Sequence, residues 1–471
     1  MAALAALAAA APAVAAEPLS ADALMRDVRT YAAFGDHNTG TASEARTQDW
    51  FDASLAEAGL TTRRVAYSFL RYRPRKVELD VSGSPVAAVA PYAYSGVTGD
   101  HGVTAPLADA GKGTAPEMDA ADVSGKIAVV NVDYAAHLIA VTLAMAVKNA
   151  QADGAVALVV VTNGPSDYPV QQDVDSRQGV GQLPALFVGA QSGQGVIAAA
   201  KAGATGRVVL AVDVGESCDT DVVGQLPGRA GAPSIIVATP TSGMVPAASE
   251  RGSGVAALLG IARTFAALPQ DQRPTLTFVG FSGHEIGYLG LPSIMAAEPQ
   301  LFAAADAYVH LGASVGAAAQ AQAPSGSDLT LPIGDPTRAL YVSENPPLQA
   351  LAQQAFAGAQ PLGSIPPGAL DPGEQQFAYN AGIPIVSLSG ASQYFHTDGD
   401  TPATVGPDLL AATATGFANA VAAIGTTTPG ELRSTNAAAQ LIAGQQGTVP
   451  SAGATSNSGP YMPKPIAFCA T

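Results

Sequence analysis

Residues 281–290 read FSGHEIGYLG and follow TLTFVGF (275–281), an alternating, β-branched and aromatic run that predicts a strand entering the core. The strand delivers His284 and Glu285 side by side to its tip. An imidazole that titrates near neutrality beside a carboxylate suits proton transfer or metal ligation. Three of the six histidines, His284, His310 and His396, fall in or just before four loops, together with Glu250 and Glu285. These loops follow SIIVAT (234–239), TLTFVGF, AYVHLGA (307–313) and IPIVSLS (383–389). Glu374 lies in DPGEQQF just ahead of IPIVSLS, and Tyr394 precedes His396 by two. Thr239, Thr241 and Ser242 offer hydroxyls beside the same loops, so a hydroxyl nucleophile is a further chemistry, although no G-x-S-x-G elbow supports it. GSG at 252–254 reads as a helix start, since no complete glycine-rich phosphate motif surrounds it.

The elements that must position these groups alternate. SIIVAT is a strand, GVAALLGIARTFAAL (254–268) a helix, TLTFVGF a strand, and AYVHLGA and IPIVSLS two more. Short continuous apolar strands alternating with helices predict an α/β fold with a mostly parallel sheet covered on both faces. In such sheets ligands bind beyond the carboxyl ends of the strands, where the histidines and glutamates fall. Residues 41–59 predict an amphipathic helix, with Thr41 and Glu44 as a capping box, Trp50, Phe51 and Leu55 as the apolar stripe and Gly59 as its end. A different unit begins near residue 101. GKIAVVNVD (125–133), VALVVVTN (156–163) and LPALFVG (183–189) are strands, AMAVKNAQADGA (144–155) is a helix, and the unit closes near VVLAVDV (208–214). The expected organisation is one α/β domain, 17–100 and 216–426, interrupted by a strand-rich insert at 101–215 and followed by a Gly-, Ser- and Pro-rich tail at 427–471.

With 471 residues, 48% of them hydrophobic and 13% charged, the chain has ample material for a core. A net charge of −16 repels phosphate backbones and argues against nucleic acid as a partner. The alanine-rich N-terminus closing on Val14-Ala15-Ala16 resembles a secretory signal peptide lacking a basic start, which gives the expectation that 1–16 is a signal remnant and the protein exported to the periplasm or beyond. No later stretch is long and apolar enough to span a bilayer. Cys218 and Cys469 are either a pair that ties down the tail or two unrelated thiols.

ERGSGVAALLGIAR, TLTFVGFSGHEIGYLG and YFHTDGDTP, in that order, resemble the M28 family of zinc aminopeptidases; GKIAVV and KNAQADGAVALVVV resemble the protease-associated (PA) domain often inserted in its members. The resemblance covers nearly the whole chain. It implies a peptidase-like sheet sandwiched by helices with a PA-like insert, and a centre of two zinc ions with five ligands and a glutamate as general base. Carried over position by position, the first histidine ligand falls on Pro240 and the bridging aspartate on Glu250. The glutamate pair falls on His284 and Glu285, the later aspartate on Gly312 and the distal histidine on His396.

Pro240 and Gly312 carry no ligand atom, so a two-zinc centre is not expected. Glu250, Glu285 and His396 remain as ligands for at most a single zinc, with an open fourth position. The longer Glu250 displaces its carboxylate by about 1.5 Å, whereas ligand distances tolerate only about ±0.2 Å. Ser242 stands where an aspartate would orient the first ligand. His310, two residues before Gly312, faces the same side of its strand; it either stands in for the lost ligand or is a hydrogen-bonded core histidine. With no metal, His284 becomes the general base, and Glu285 or Glu374 steadies its imidazolium.

The expectation is thus a secreted hydrolase with a rebuilt active site. His284, Glu285 and His396 are its catalytic residues, and Glu374, Tyr394, His310 and Ser242 line a small-molecule or peptide-like substrate. The alternative is a non-catalytic binding protein on a dead peptidase scaffold.

Overall fold

The computed structural model describes residues 17–133, 139–164, 166–318, 320–321, 331–332, 338–359, 361–365, 373–390, 392–435 and Cys469. Strand Ser234–Pro240 is the axis of the core. It runs parallel to Thr275–Phe281 on one side and to Ala307–Leu311 on the other, and Ile385–Gly390 continues the parallel set. Arg338–Val342 adds an antiparallel strand beyond. The period of two sorts the side chains. Ile235 and Val237 pack with helices Ala21–Ala33, Ser253–Ala266 and Pro407–Ile424; Ile236 and Ala238 pack with Leu291, Ile294 and Phe302 on the opposite face. Both faces are covered, which is why these strands read as unbroken apolar runs.

Two long strands join the core to the insert. Thr61–Val81 and Thr205–Leu226 pair antiparallel from Thr61 opposite Gln225 to Val81 opposite Gly206, a ribbon of about 70 Å at roughly 3.3 Å per residue. One end of Thr205–Leu226 pairs with Thr275–Phe281 of the core, the other with Gly99–Asp109. Ile127–Asp133, Ala157–Asn163 and Ala185–Val188 follow in parallel, with Val89–Pro91 at the edge. One continuous sheet therefore carries both the core and the strand-rich insert.

The segment VVLAVDV turns out to be part of a strand of 22 residues. Helix Ala42–Glu57 forms only half of the expected capping box. Thr41 Oγ1 accepts from the Glu44 amide at 3.2 Å, but the Glu44 carboxylate turns inward, buried, and accepts from Gln48 Nε2 at 2.7 Å. Cys218 and Cys469 are joined in a disulfide. The alanine-rich stretch 1–16 and most of the tail lie outside the described residues. Among those described, no helix is long and apolar enough to cross a membrane.

Candidate active site

A single π-helical turn, Ala248–Gly252, precedes helix Ser253–Ala266 and places Glu250 and Arg251 next to each other, both buried. Asp400 fixes this turn by accepting from the amides of Ser249 (2.8 Å) and Glu250 (2.9 Å), and burial raises the Asp400 pKa to about 6. His284 sits in the turn just beyond Phe281, and Glu374 at the head of helix Gln375–Asn380. His396 is held at φ +58°, a left-handed conformation uncommon for a residue with a Cβ.

Each of these histidines is backed by a buried glutamate. His284 Nδ1 lies 2.6 Å from Glu374 Oε1. Burial and the Arg251 charge press the His284 pKa down, yet Glu374 and Glu285 lift it above its ordinary value. Burial would likewise raise Glu374, but the neighbouring His284 holds its carboxyl below the usual range. His396 Nε2 forms an ion pair with Glu250 Oε1 at 3.1 Å. Burial lowers the His396 pKa, but Glu250 and Asp173 outweigh it and raise it to about 9. Glu250 answers in kind: burial pushes it up, and His396 with Arg251 brings it down to about 2. Both imidazoles are therefore held above their ordinary value, His396 at about 9, by the carboxylates that face them.

Arg251 reshapes the rest of the cluster. Its Nη2 lies 2.9 Å from Glu250 Oε1 and 3.0 Å from Glu285 Oε1, and its Nε donates to the same Glu285 oxygen at 3.2 Å. Ser242 Oγ donates to the other Glu285 oxygen at 2.6 Å. Both oxygens of Glu285 are thus engaged, and a fixed cation already sits against the two carboxylates.

The insert completes the site. Three of its amides donate to core carbonyls: Gln171 to His396 (3.0 Å), Val174 to Glu285 (2.9 Å) and Ser176 to Ile286 (3.0 Å). These bonds lay Asp173 across the two histidines, with one oxygen 4.0 Å from His284 Nε2 and the other 3.7 Å from His396 Nε2. Asp173 is 40% exposed and His284 12%; every other charged group named here is essentially buried. The opening to solvent therefore lies beside Asp173.

Measured against the sequence expectations, the structure brings Glu250, His284, Glu285, Glu374 and His396 into one cluster. Pro240, at the end of its strand, and Gly312 offer no side-chain donor, and a Cβ at Gly312 would run into Ser389 Oγ and the Leu388 carbonyl. The single-zinc reading on Glu250, Glu285 and His396 does not fit, because Arg251 occupies the space between the two carboxylates. Among the described residues no group of three or more His, Cys, Asp or Glu side chains is arranged to hold a metal ion.

The residues expected to line a substrate are mostly walled in. Ser242 is buried on Glu285, and Glu374 serves His284. Tyr394 is buried edge-on against Tyr168 of the insert. His310 stacks between Phe281 and Tyr308, and burial lowers its pKa to about 4, which keeps it neutral. Glu285 orders the cluster through Arg251 and Ser242. The sequence reading missed Arg251 and Asp173.

Comparison with known proteins agrees with this architecture. The PA domain model matches residues 103–196 and the Peptidase family M28 model matches residues 221–421. Aminopeptidase YwaD of Bacillus subtilis (strain 168) is 26% identical over 263 residues, 55% of this chain and 53% of that protein, so the match spans about half the length of this relative. An aminopeptidase from Aneurinibacillus sp. strain AM-1 superposes with a TM-score of 0.60 at 21% identity, covering 88% of this chain and 96% of the other. BSAP, a zinc aminopeptidase from Bacillus subtilis, gives 0.67 at 19% identity (86% and 95% covered). A Peptidase M28 precursor from Shewanella amazonensis SB2B gives 0.67 at 17% (86% and 96%). At these identities the structural likeness is one of fold.

Proposed function

Because the chain is a PA-containing, M28 aminopeptidase-like protein, we propose that it is an exported hydrolase whose site works without a metal, with His284 as general base and His396 as general acid. The observation that carries this is the His284–Glu374 contact. A carboxylate on Nδ1 fixes the proton there and leaves Nε2, which faces Asp173 and the opening, free to accept one. In the proposed reaction His284 Nε2 takes a proton from water as the water oxygen bonds to an acyl carbon. The carbonyl oxygen gathers negative charge beside the His396 imidazolium. As the bond to the leaving group breaks, His396 gives it a proton, and the products are an acid and the released alcohol or amine. Solvent beside Asp173 then returns the proton from His284 to His396.

No metal acidifies the water in this scheme, so the favoured substrates carry a leaving group better than an amide nitrogen: peptide-like or small-molecule esters and lactones. Export is supported by the alanine-rich start of the chain and by the Cys218–Cys469 disulfide, which belongs to oxidising compartments.

One observation favours a second reading, a binding protein on an inactive peptidase scaffold: the insert covers the site so closely that only Asp173 is well exposed. A panel of amino-acyl esters, lactones and dipeptides, assayed in EDTA, separates the two. Turnover of any ester or lactone supports the hydrolase; no turnover of any member supports the binding protein.

A further inference from the structure

The cation between Glu250 and Glu285 belongs to the protein itself. Arg251 is 1% exposed, and its guanidinium remains charged at any working pH. The stem is packed as well: a Cβ added at Gly243 would already be in van der Waals contact with Arg251 Cγ, at 3.5 Å. One nitrogen, Nη2, stands within 3.0 Å of an oxygen from each carboxylate. A zinc ion bound to both glutamates at about 2.0–2.2 Å would have to lie in the volume that this guanidinium fills. It would also sit against a fixed positive charge in a buried setting, where like charges repel strongly.

From this we infer that Arg251 is the resident cation of the site, gathering Glu250 and Glu285 as a divalent ion would and shutting such an ion out. A consequence follows from the geometry. His396 Nε2 already lies 3.1 Å from Glu250 Oε1, so it stands beside one of the two carboxylates that meet at the guanidinium. Removing the guanidinium frees Glu250 and Glu285, with His396 beside Glu250, to close on the vacated volume; two carboxylates and one imidazole are donors that zinc accepts with one open position.

The test is metal content, independent of turnover. Wild type, Arg251→Ala and the double variant Arg251→Ala/Glu285→Gln are dialysed against zinc, freed of excess and analysed for the metal by mass spectrometry. The expected result is no stoichiometric zinc in the wild type, one ion per chain in Arg251→Ala, and none in the double variant. Added zinc also raises the melting temperature of Arg251→Ala but not that of the wild type. Should Arg251→Ala fail to fold, Arg251→Met keeps the packed stem without the charge and is read in the same way. A folded Arg251 variant that takes up no zinc overturns the inference, as does a wild-type protein whose bound zinc is lost on Glu285→Gln. A wild type that excludes zinc yet hydrolyses nothing contradicts only the proposed function and leaves the role of Arg251 standing.

Discussion

His284 Nδ1 and Glu374 Oε1 stand 2.6 Å apart although 90 residues separate them in sequence. Glu374 raises the His284 pKa, so Glu374→Gln should lower it. The imidazole resonances followed by NMR against pH will show the midpoint moving to lower pH, and the rising limb of any pH–rate profile will move with it. An unchanged midpoint would mean that the contact does not govern the base.

Arg251 compensates two buried carboxylates at once. Removing one partner of a buried ion pair typically costs about 3–5 kcal/mol. Arg251→Met, measured by chemical denaturation in EDTA, should therefore lose stability on that scale; a loss under about 1 kcal/mol would show that the pairs contribute little.

Asp173 reaches the site from the insert and is partly exposed, so Asp173→Asn should leave the fold intact. It is one of the charges that hold the His396 pKa at about 9. Its neutralisation should lower that value and draw the alkaline limb of activity toward lower pH. NMR titration of His396 that shows no change would remove Asp173 from the acid–base machinery.

A second group of acids joins Glu44 of helix Ala42–Glu57 to Asp219 and Asp221 of strand Thr205–Leu226, and burial raises the pKa of all three. Asp221 accepts from the Ser282 amide at 2.7 Å, and its other oxygen has no hydrogen-bond partner. A carboxyl whose folded pKa is raised adds stability below its unfolded value of about 3.9 and loses it as pH rises through the folded value. Asp221→Asn, which mimics the protonated acid, should thus be more stable than wild type at alkaline pH and no more stable below about pH 4. Denaturation midpoints across that range check it; a difference independent of pH would contradict it.

The parts of the site legible in the sequence are those at strand ends. TLTFVGF announces its own termination, so His284 and Glu285 could be placed at a sheet edge from pattern alone, and His396 follows another such strand. Arg251 was not legible, because a Glu-Arg pair before Gly-Ser-Gly reads as an ordinary solvated helix start; only the π-helical turn buries it. Asp173 lies in YPVQQDVDSRQGV, which has no period of either kind, and its placement depends on backbone bonds to residues more than 100 positions away. Strand Thr61–Val81 escaped for a different reason. Its middle, RYRPRK, is charged and partly exposed, and the pairing register shifts between Pro74 and Lys76. That interruption breaks the alternation a strand needs to be recognised.

The decisive measurement is kcat of wild type and His284→Ala on the best ester or lactone substrate, both in EDTA. If His284 is the base of a metal-free site, the wild type turns over undiminished by the chelator, its rate rises with pH through the His284 titration, and His284→Ala falls by about 10²–10⁴-fold. Turnover abolished by EDTA together with a harmless His284→Ala would contradict a metal-free site and return the chemistry to a bound ion.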